Sequence, residues 1–304
     1  MKTIILYVLV LLYAPLLLAV DKSGLFSSIY HQEIILENSD LEALSDIEIV
    51  LIPGIISETF SGYFGAQHFH YEKLGLKASR LEASSKSVEE TIEKIDEKVR
   101  RIKKAGRKVL FISHSLGGLA LVDWMMKQDE KSLKIIKGIA FIQSPFFGAP
   151  VATVYLENPY YARTLLGPIL PFFNTSIETI KYLSVEERRE RMKSYLPRLQ
   201  KLLKSIPVIT AGGVSLKHPS IFLPSLNVIG YGCLTYVKQK CLSKKVFKGP
   251  FDDSDGMVPF ESSKLPFLDF VKLEGVDHGE TVLPMPFMSI DRVKMTDVLL
   301  KMLL

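Results

Sequence analysis

Two cysteines, Cys233 and Cys241, are all that 304 residues contain. So few exclude a disulfide framework and leave two options, one bridge in an oxidising compartment or two unpaired buried thiols. Spacing alone does not supply the Cα separation that a bridge requires. Blocks of like charge are missing too: 38 Lys and Arg are interleaved with 33 Asp and Glu for a net charge of +5. With no basic arm or stripe, nucleic acid is not an expected partner. There is no internal repeat and no low-complexity segment. Metal-ligand spacing is likewise wanting. His68 and His70 lie two apart and would not share a helix face, and the acidic stretch 252–255 does not match a full calcium loop. No metal or cofactor is expected. What remains, 47% hydrophobic and 23% charged residues, is the composition of one folded globular domain with room for an insertion.

The N-terminus carries a targeting element rather than part of the fold. Lys2 precedes an uncharged run, residues 3–20, that ends at Asp21 and Lys22. As a signal peptide its apolar stretch is long, and Leu17 is a poor occupant of the small-residue position for a cut after Ala19. As a membrane span it sits at the short end of the ~17–25 residues that cross a bilayer. Residues 1–20 are therefore expected to be a cleaved signal peptide or, failing that, an N-terminal anchor. In both cases residues 21–304 leave the cytoplasm, secreted or periplasmic.

Strand and helix patterns alternate through this body. A β-rich run at 47–52 stops at Pro53-Gly54, and the polar-aromatic stretch from Ser57 to Gly75 is expected to be helical. Val88, Ile92, Ile95, Val99 and Ile102 recur at helical spacing between a capping box, Ser87 with Glu90, and a terminating Gly106. Buried strands are expected at 108–112 and 139–143, further strands at 207–211 and 267–273, and a last amphipathic helix from about Asp291. Such alternation implies a mostly parallel sheet covered by helices on both faces. Residues 151–205 interrupt it with clustered aromatics (Tyr155, Tyr160, Tyr161, Phe172, Phe173) around three prolines, then a capped helix from Ser184 rich in Arg and Lys. They read either as a substrate-covering cap or as ordinary core between helices.

Chemistry centres on Ser113-His114-Ser115-Leu116-Gly117-Gly118, between the apolar run 108–112 and the apolar helix start 119–124. A serine at the apex of a sharp strand-to-helix turn is lifted clear of the sheet, with small residues where strand and helix crowd. Serine is a weak nucleophile and needs a base, which in turn needs a carboxylate to fix its tautomer. His278 lies late in the chain, in a loop after an expected strand; His31, His68, His70, His114 and His218 lack that combination. Asp255, in the turn-rich 251–259, is the preferred carboxylate, with Asp252, Asp253 and Asp277 as alternatives. His114 adjoins the nucleophile, but the turn points it elsewhere, leaving it a packing and hydrogen-bonding role. The backbone N–H groups of Leu116 and Ile55 are placed to hold an oxyanion.

The order Ser115, Asp255, His278 is that of α/β-hydrolases, and the chain resembles that family over roughly residues 47–304. It is most similar to secreted bacterial-type triacylglycerol lipases and esterases. The likeness rests on Ile52-Pro53-Gly54-Ile55, on 113–118, on Ser144-Pro145-Phe146-Phe147-Gly148-Ala149-Pro150, on Asp255-Gly256-Met257-Val258-Pro259 and on Asp277-His278. It departs from the family pattern where Ser113 replaces a glycine and Pro53 a histidine, and it lacks the calcium-site pattern of many bacterial lipases. The resemblance implies a serine hydrolase of carboxylic esters with lipid or other ester substrates and contact with a membrane or lipid interface through the cap. Phospholipase, polyhydroxyalkanoate depolymerase and acyltransferase chemistry use the same parts, and a catalytically silent binding module of this fold is the alternative of another class.

Overall fold

Six short strands, all but one edge strand rich in β-branched and apolar residues, form the central sheet in a computed structural model that describes residues 19–55, 57–157, 175–215, 253–284 and 288–304. They are β1 (Ile47–Ile52), β2 (Lys77–Arg80), β3 (Lys108–His114), β4 (Ile136–Ile142), β5 (Val208–Val214) and β6 (Asp269–Glu274). They pair in the order β2-β1-β3-β4-β5-β6, and every pairing is parallel.

All six residues of β1 are buried, as a strand covered on both faces requires. Ile47, Ile49 and Leu51 enter one hydrophobic cluster, with Leu110, Ile112, Ala140 and Ile142 of the neighbouring strands; Val50 and Ile52 enter the other, with Val109, Phe111, Ile139 and Phe141. Side chains alternate in direction along a strand, so consecutive residues feed opposite cores. On the first side lie α1 (Ser23–Tyr30), α2 (Asn38–Leu44), α3 (Gly65–Lys73) and α9 (Arg292–Leu303); on the second lie α4 (Val88–Lys104), α5 (Leu116–Lys127), α6 (Pro150–Glu157), α7 (Ile177–Leu183) and α8 (Val185–Leu203).

Helix ends follow local chemistry. Ser87 Oγ accepts the Glu90 N–H and starts α4, Ser184 Oγ accepts the Glu187 N–H and starts α8, and Asp291 Oδ1 accepts from Val293 and Lys294 to start α9. Only part of the stretch expected to be helical from Ser57 to Gly75 is so. Residues 57–64 form turns, and α3 begins after Phe64, whose φ is +56°.

Residues 151–205 are described at their two ends. Val151, Val154 and Tyr155 of α6, Ile180 and Leu183 of α7, and Met192, Leu199, Leu202 and Leu203 of α8 belong to the second core. Two of the basic residues of α8 turn inward. Arg188 is fully buried with its guanidinium over the Tyr182 ring, and Arg191 bonds Asp123 Oδ2 of α5 at 3.0 Å. Burial raises the Asp123 carboxyl against the pull of both arginines. The aromatic segment 158–174, the run 1–18, Cys233, Cys241, His218 and Asp252 lie outside the described residues. Among the described residues no helix is long and apolar enough to cross a membrane.

Candidate active site

Because the six described strands are all parallel, the segments that follow β1, β3, β4, β5 and β6 leave from one edge of the sheet, where ligands bind in open α/β sheets. Ser115 follows β3 directly, with φ +53° and ψ −125°. For a non-glycine residue this conformation costs about 1–3 kcal/mol and persists only where the surroundings over-determine it. Here β3 is buried along nearly its whole length and α5 is buried from Leu116 to Met125. Helix and strand meet so closely that a Cβ at Gly117 would fall against the carbonyl oxygens of Ile52 and Pro53. Ser113, in the place of the family's glycine, is accommodated without exposure, its hydroxyl donating to the Ala140 carbonyl at 3.3 Å.

His278 stands after β6, and its Nε2 is 3.0 Å from Ser115 Oγ. Its Nδ1 is 2.8 Å from Asp255 Oδ2. The other oxygen of Asp255 accepts the N–H groups of Met257 at 2.9 Å and Val258 at 2.7 Å, so the carboxylate is locked with one oxygen facing the imidazole. Its backbone carbonyl also accepts the His278 N–H at 3.0 Å. Ser115, His278 and Asp255, 163 and 23 residues apart, thus form one hydrogen-bonded chain.

The two alternative carboxylates among the described residues have other work. Asp253 binds Lys272 at 2.8 Å. Asp277 folds the histidine loop, its Oδ1 accepting from Gly279 at 2.8 Å and Glu280 at 3.0 Å while Glu280 accepts back from the Asp277 N–H. Burial raises the Glu280 carboxyl, and the Ser289 hydroxyl that bonds it acts in the opposite sense.

The two expected oxyanion donors flank the serine. Leu116 opens α5, and the first N–H groups of a helix have no intrahelical acceptor. Ile55 follows Gly54, where a Cβ would lie 2.8 Å from Ser115 Cβ and 2.7 Å from Tyr63 Oη. Only glycine lets the β1 end approach the nucleophile this closely.

His114 points away from Ser115 Oγ, as the turn requires. It is buried with Nδ1 2.6 Å from Tyr63 Oη and Nε2 2.9 Å from the His278 carbonyl and 3.1 Å from Gln143 Oε1. Burial, and then the charge of His278, pushes its pKa well below the ordinary histidine value, in the direction of the neutral ring. Tyr63 and Gln143 are site residues that sequence reasoning did not single out. Gln143, at φ +48°, donates to the Asp277 carbonyl at 2.8 Å and accepts from Thr281 at 2.8 Å. His68 and His70 lie outside this site. His70 pairs with Asp297 at 2.9 Å and His68 faces Glu72. Among the described residues no group of three or more His, Cys, Asp or Glu is placed to hold a metal ion.

Solved structures show which architecture this is. The mature lipase BlEst2 of Bacillus licheniformis is similar with a TM-score of 0.57 and 17% identity, over 76% of this chain and 84% of that one. The metagenomic carboxyl esterase MGS0156 is similar with a TM-score of 0.61 and 14% identity, over 85% and 76%. The chain has the α/β-hydrolase fold. No protein-family model and no curated protein matches the sequence. Within the α/β-hydrolase fold, the departure at Pro53 has a structural answer: Tyr63 Oη accepts the Gly54 N–H at 2.9 Å and ties down the loop from ten residues further along. That substitute is invisible from sequence because tyrosines are ordinary core residues.

Proposed function

We propose that the protein is a serine hydrolase of carboxylic esters, with acylglycerols or related lipid esters as the substrate class. The observation that carries this reading is the chain Ser115 Oγ···His278 Nε2, 3.0 Å, and His278 Nδ1···Asp255 Oδ2, 2.8 Å, on a serine at φ +53°. Ser115 Oγ attacks the acyl carbonyl while His278 Nε2 takes its proton. Asp255 keeps the Nδ1 proton in place and stabilises the imidazolium. The N–H groups of Ile55 and Leu116 hold the negative oxygen of the tetrahedral intermediate. His278 then protonates the departing alcohol, and water attacks the acyl-enzyme by the same steps to release the acid. Lipase and esterase names among the structural neighbours support the ester class, and the apolar N-terminal run supports a lipid-facing, exported protein.

Ser115→Ala is expected to abolish hydrolysis of p-nitrophenyl esters and fluorophosphonate labelling while leaving the thermal unfolding transition in place. Labelling that survives in this variant refutes the assignment. Wild-type protein that takes no label at all is instead a silent binding module. Activity confined to short acyl chains, with no rise at an emulsion interface, removes the lipid part of the reading and keeps the ester part.

A further inference from the structure

We infer that Tyr63 and His114 form a buried positioning relay that holds the oxyanion loop and the histidine base in register with each other. The inference rests on the ester-hydrolase reading above. Tyr63 is 3% exposed and His114 1%, and their polar atoms are matched to fixed partners. The Gly54 N–H donates to Tyr63 Oη at 2.9 Å, and the Tyr63 hydroxyl donates to His114 Nδ1 at 2.6 Å. His114 Nε2–H then donates to the His278 carbonyl at 2.9 Å and to Gln143 Oε1 at 3.1 Å.

Only one tautomer satisfies this chain. With the proton on Nδ1, the Nε2 lone pair would face two acceptors, the His278 carbonyl and Gln143 Oε1, and the buried Tyr63 hydroxyl would lose its acceptor. One end of the relay fixes the peptide before Ile55, whose N–H is an expected oxyanion donor. The other fixes the backbone of the residue whose ring faces Ser115. His114 immediately precedes Ser115, and its ring lies 4.7 Å from that of His278. A neutral His114 at that distance does not repel the imidazolium that forms on His278. Neither Tyr63 nor His114 reaches the reacting atoms, so both are positioning residues. Donor and base must be in place in the same transition state, so loss of the relay lowers kcat rather than raising KM.

The test compares Tyr63→Phe, His114→Leu and His114→Gln in the full chain, with Ser115→Ala as control. Tyr63→Phe keeps the ring and loses both hydrogen bonds of the hydroxyl; kcat is expected to fall about 10- to 100-fold with KM within about twofold. His114→Leu is expected to fall at least as far. His114→Gln, which restores an N–H near the Nε2 position but no acceptor for the Tyr63 hydroxyl, is expected to recover only part of that loss. Tyr63→Phe combined with His114→Leu is expected to lose little more than the larger single loss, because the two residues act as one unit. In the wild type, nitrogen-15 NMR of the imidazoles is expected to show His114 as the neutral Nε2–H tautomer.

An active enzyme whose Tyr63→Phe variant keeps kcat within twofold, or whose two losses simply multiply, overturns the relay and leaves the ester-hydrolase reading standing. So does an Nδ1–H tautomer at His114. If Tyr63→Phe fails to fold, the His114 pair and the NMR measurement decide. Wild-type protein that neither hydrolyses esters nor takes the fluorophosphonate label overturns both readings.

Discussion

The turn that carries Ser115 and the loop that carries His278 face each other across 3.0 Å and are held by opposite means. At the serine turn the hold is mainly steric: a buried strand runs into a buried helix, one residue takes a strained conformation, and Gly117 admits the carbonyls of Ile52 and Pro53. At the histidine loop little is local beyond the Asp277 turn. His278 is fixed by the hydrogen bonds it donates to Asp255, 23 residues earlier, and by the one its carbonyl accepts from His114, 164 residues earlier, while Gln143 holds the preceding carbonyl. The nucleophile is thus placed by backbone packing and the base by a polar network. Packing errors spread through a core, whereas loss of one hydrogen bond frees one loop. Substitutions in the two regions should therefore fail differently.

With the nucleophile kept, the largest effect is expected on the network side. Asp255→Asn keeps the shape of the side chain but takes away the charge that holds the Nδ1 proton. A drop in kcat on the order of 10⁴-fold is expected, the size found where the equivalent change leaves the wrong tautomer. Steady-state kinetics beside a thermal melt measure it, and the melt should move little. Activity within tenfold of wild type would mean that another carboxylate serves His278. Asp253→Asn, which breaks only the ion pair with Lys272, is the control that should stay near wild type.

On the packing side, Gly117→Ala sets helix propensity against sterics. An alanine inside a helix is favoured over glycine by ~1 kcal/mol, yet its Cβ has no room beside the two carbonyls. Overpacking of this kind costs about 1–3 kcal/mol, and pushing Pro53 away also moves the loop of Gly54 and Ile55. Stability and kcat should fall together. Asp277→Ala is the matched change on the other side. It removes the two N–H contacts that fold the histidine loop, a loss of about 0.5–2 kcal/mol by analogy with helix caps, spent on local opening rather than on the core. Its expected signature is a tenfold or smaller loss of kcat with a nearly unchanged melt. If the two variants show the same ratio of lost activity to lost stability, the distinction between the regions fails.

The same contrast explains what the sequence disclosed. The serine turn was readable because its signals are contiguous: a run of β-branched and apolar residues, a serine among small residues, then a helix. Asp255 and His278 were readable from turn composition and chain order. Tyr63 and Gln143 were not, because a buried tyrosine or glutamine is an ordinary core residue until its partner is known, and theirs lie 51 and 29 residues away. Nor was β2, whose sequence Lys-Ala-Ser-Arg is half exposed at the sheet edge and carries no hydrophobic pattern. Arg188 was hidden for the converse reason. It stands in a run of charged residues with nothing to set it apart, yet it is fully buried against Tyr182 and Phe146.

The smallest expected effect tests the network through pH. Burial lowers the pKa of His114 in the folded protein, whereas in the unfolded chain it returns to about 6.5. As pH falls below that value the unfolded state takes up a proton that the folded state refuses. Unfolding is then favoured, with a slope of at most about 1.4 kcal/mol per pH unit from this one group. Above pH 6.5 the contribution is flat. His70 acts in the other direction: its bond to Asp297 raises its pKa, so its stabilisation is present below pH 6.5 and is lost as pH rises through the folded value. Wild-type stability alone therefore mixes the two. The difference between wild type and His114→Gln in urea unfolding from pH 7 to pH 4.5 isolates the buried ring, because His70 is common to both. The variant should lose stability less steeply on acidification. Parallel curves would mean that His114 is protonated inside the fold, where a charged ring 4.7 Å from His278 would oppose the imidazolium on the base.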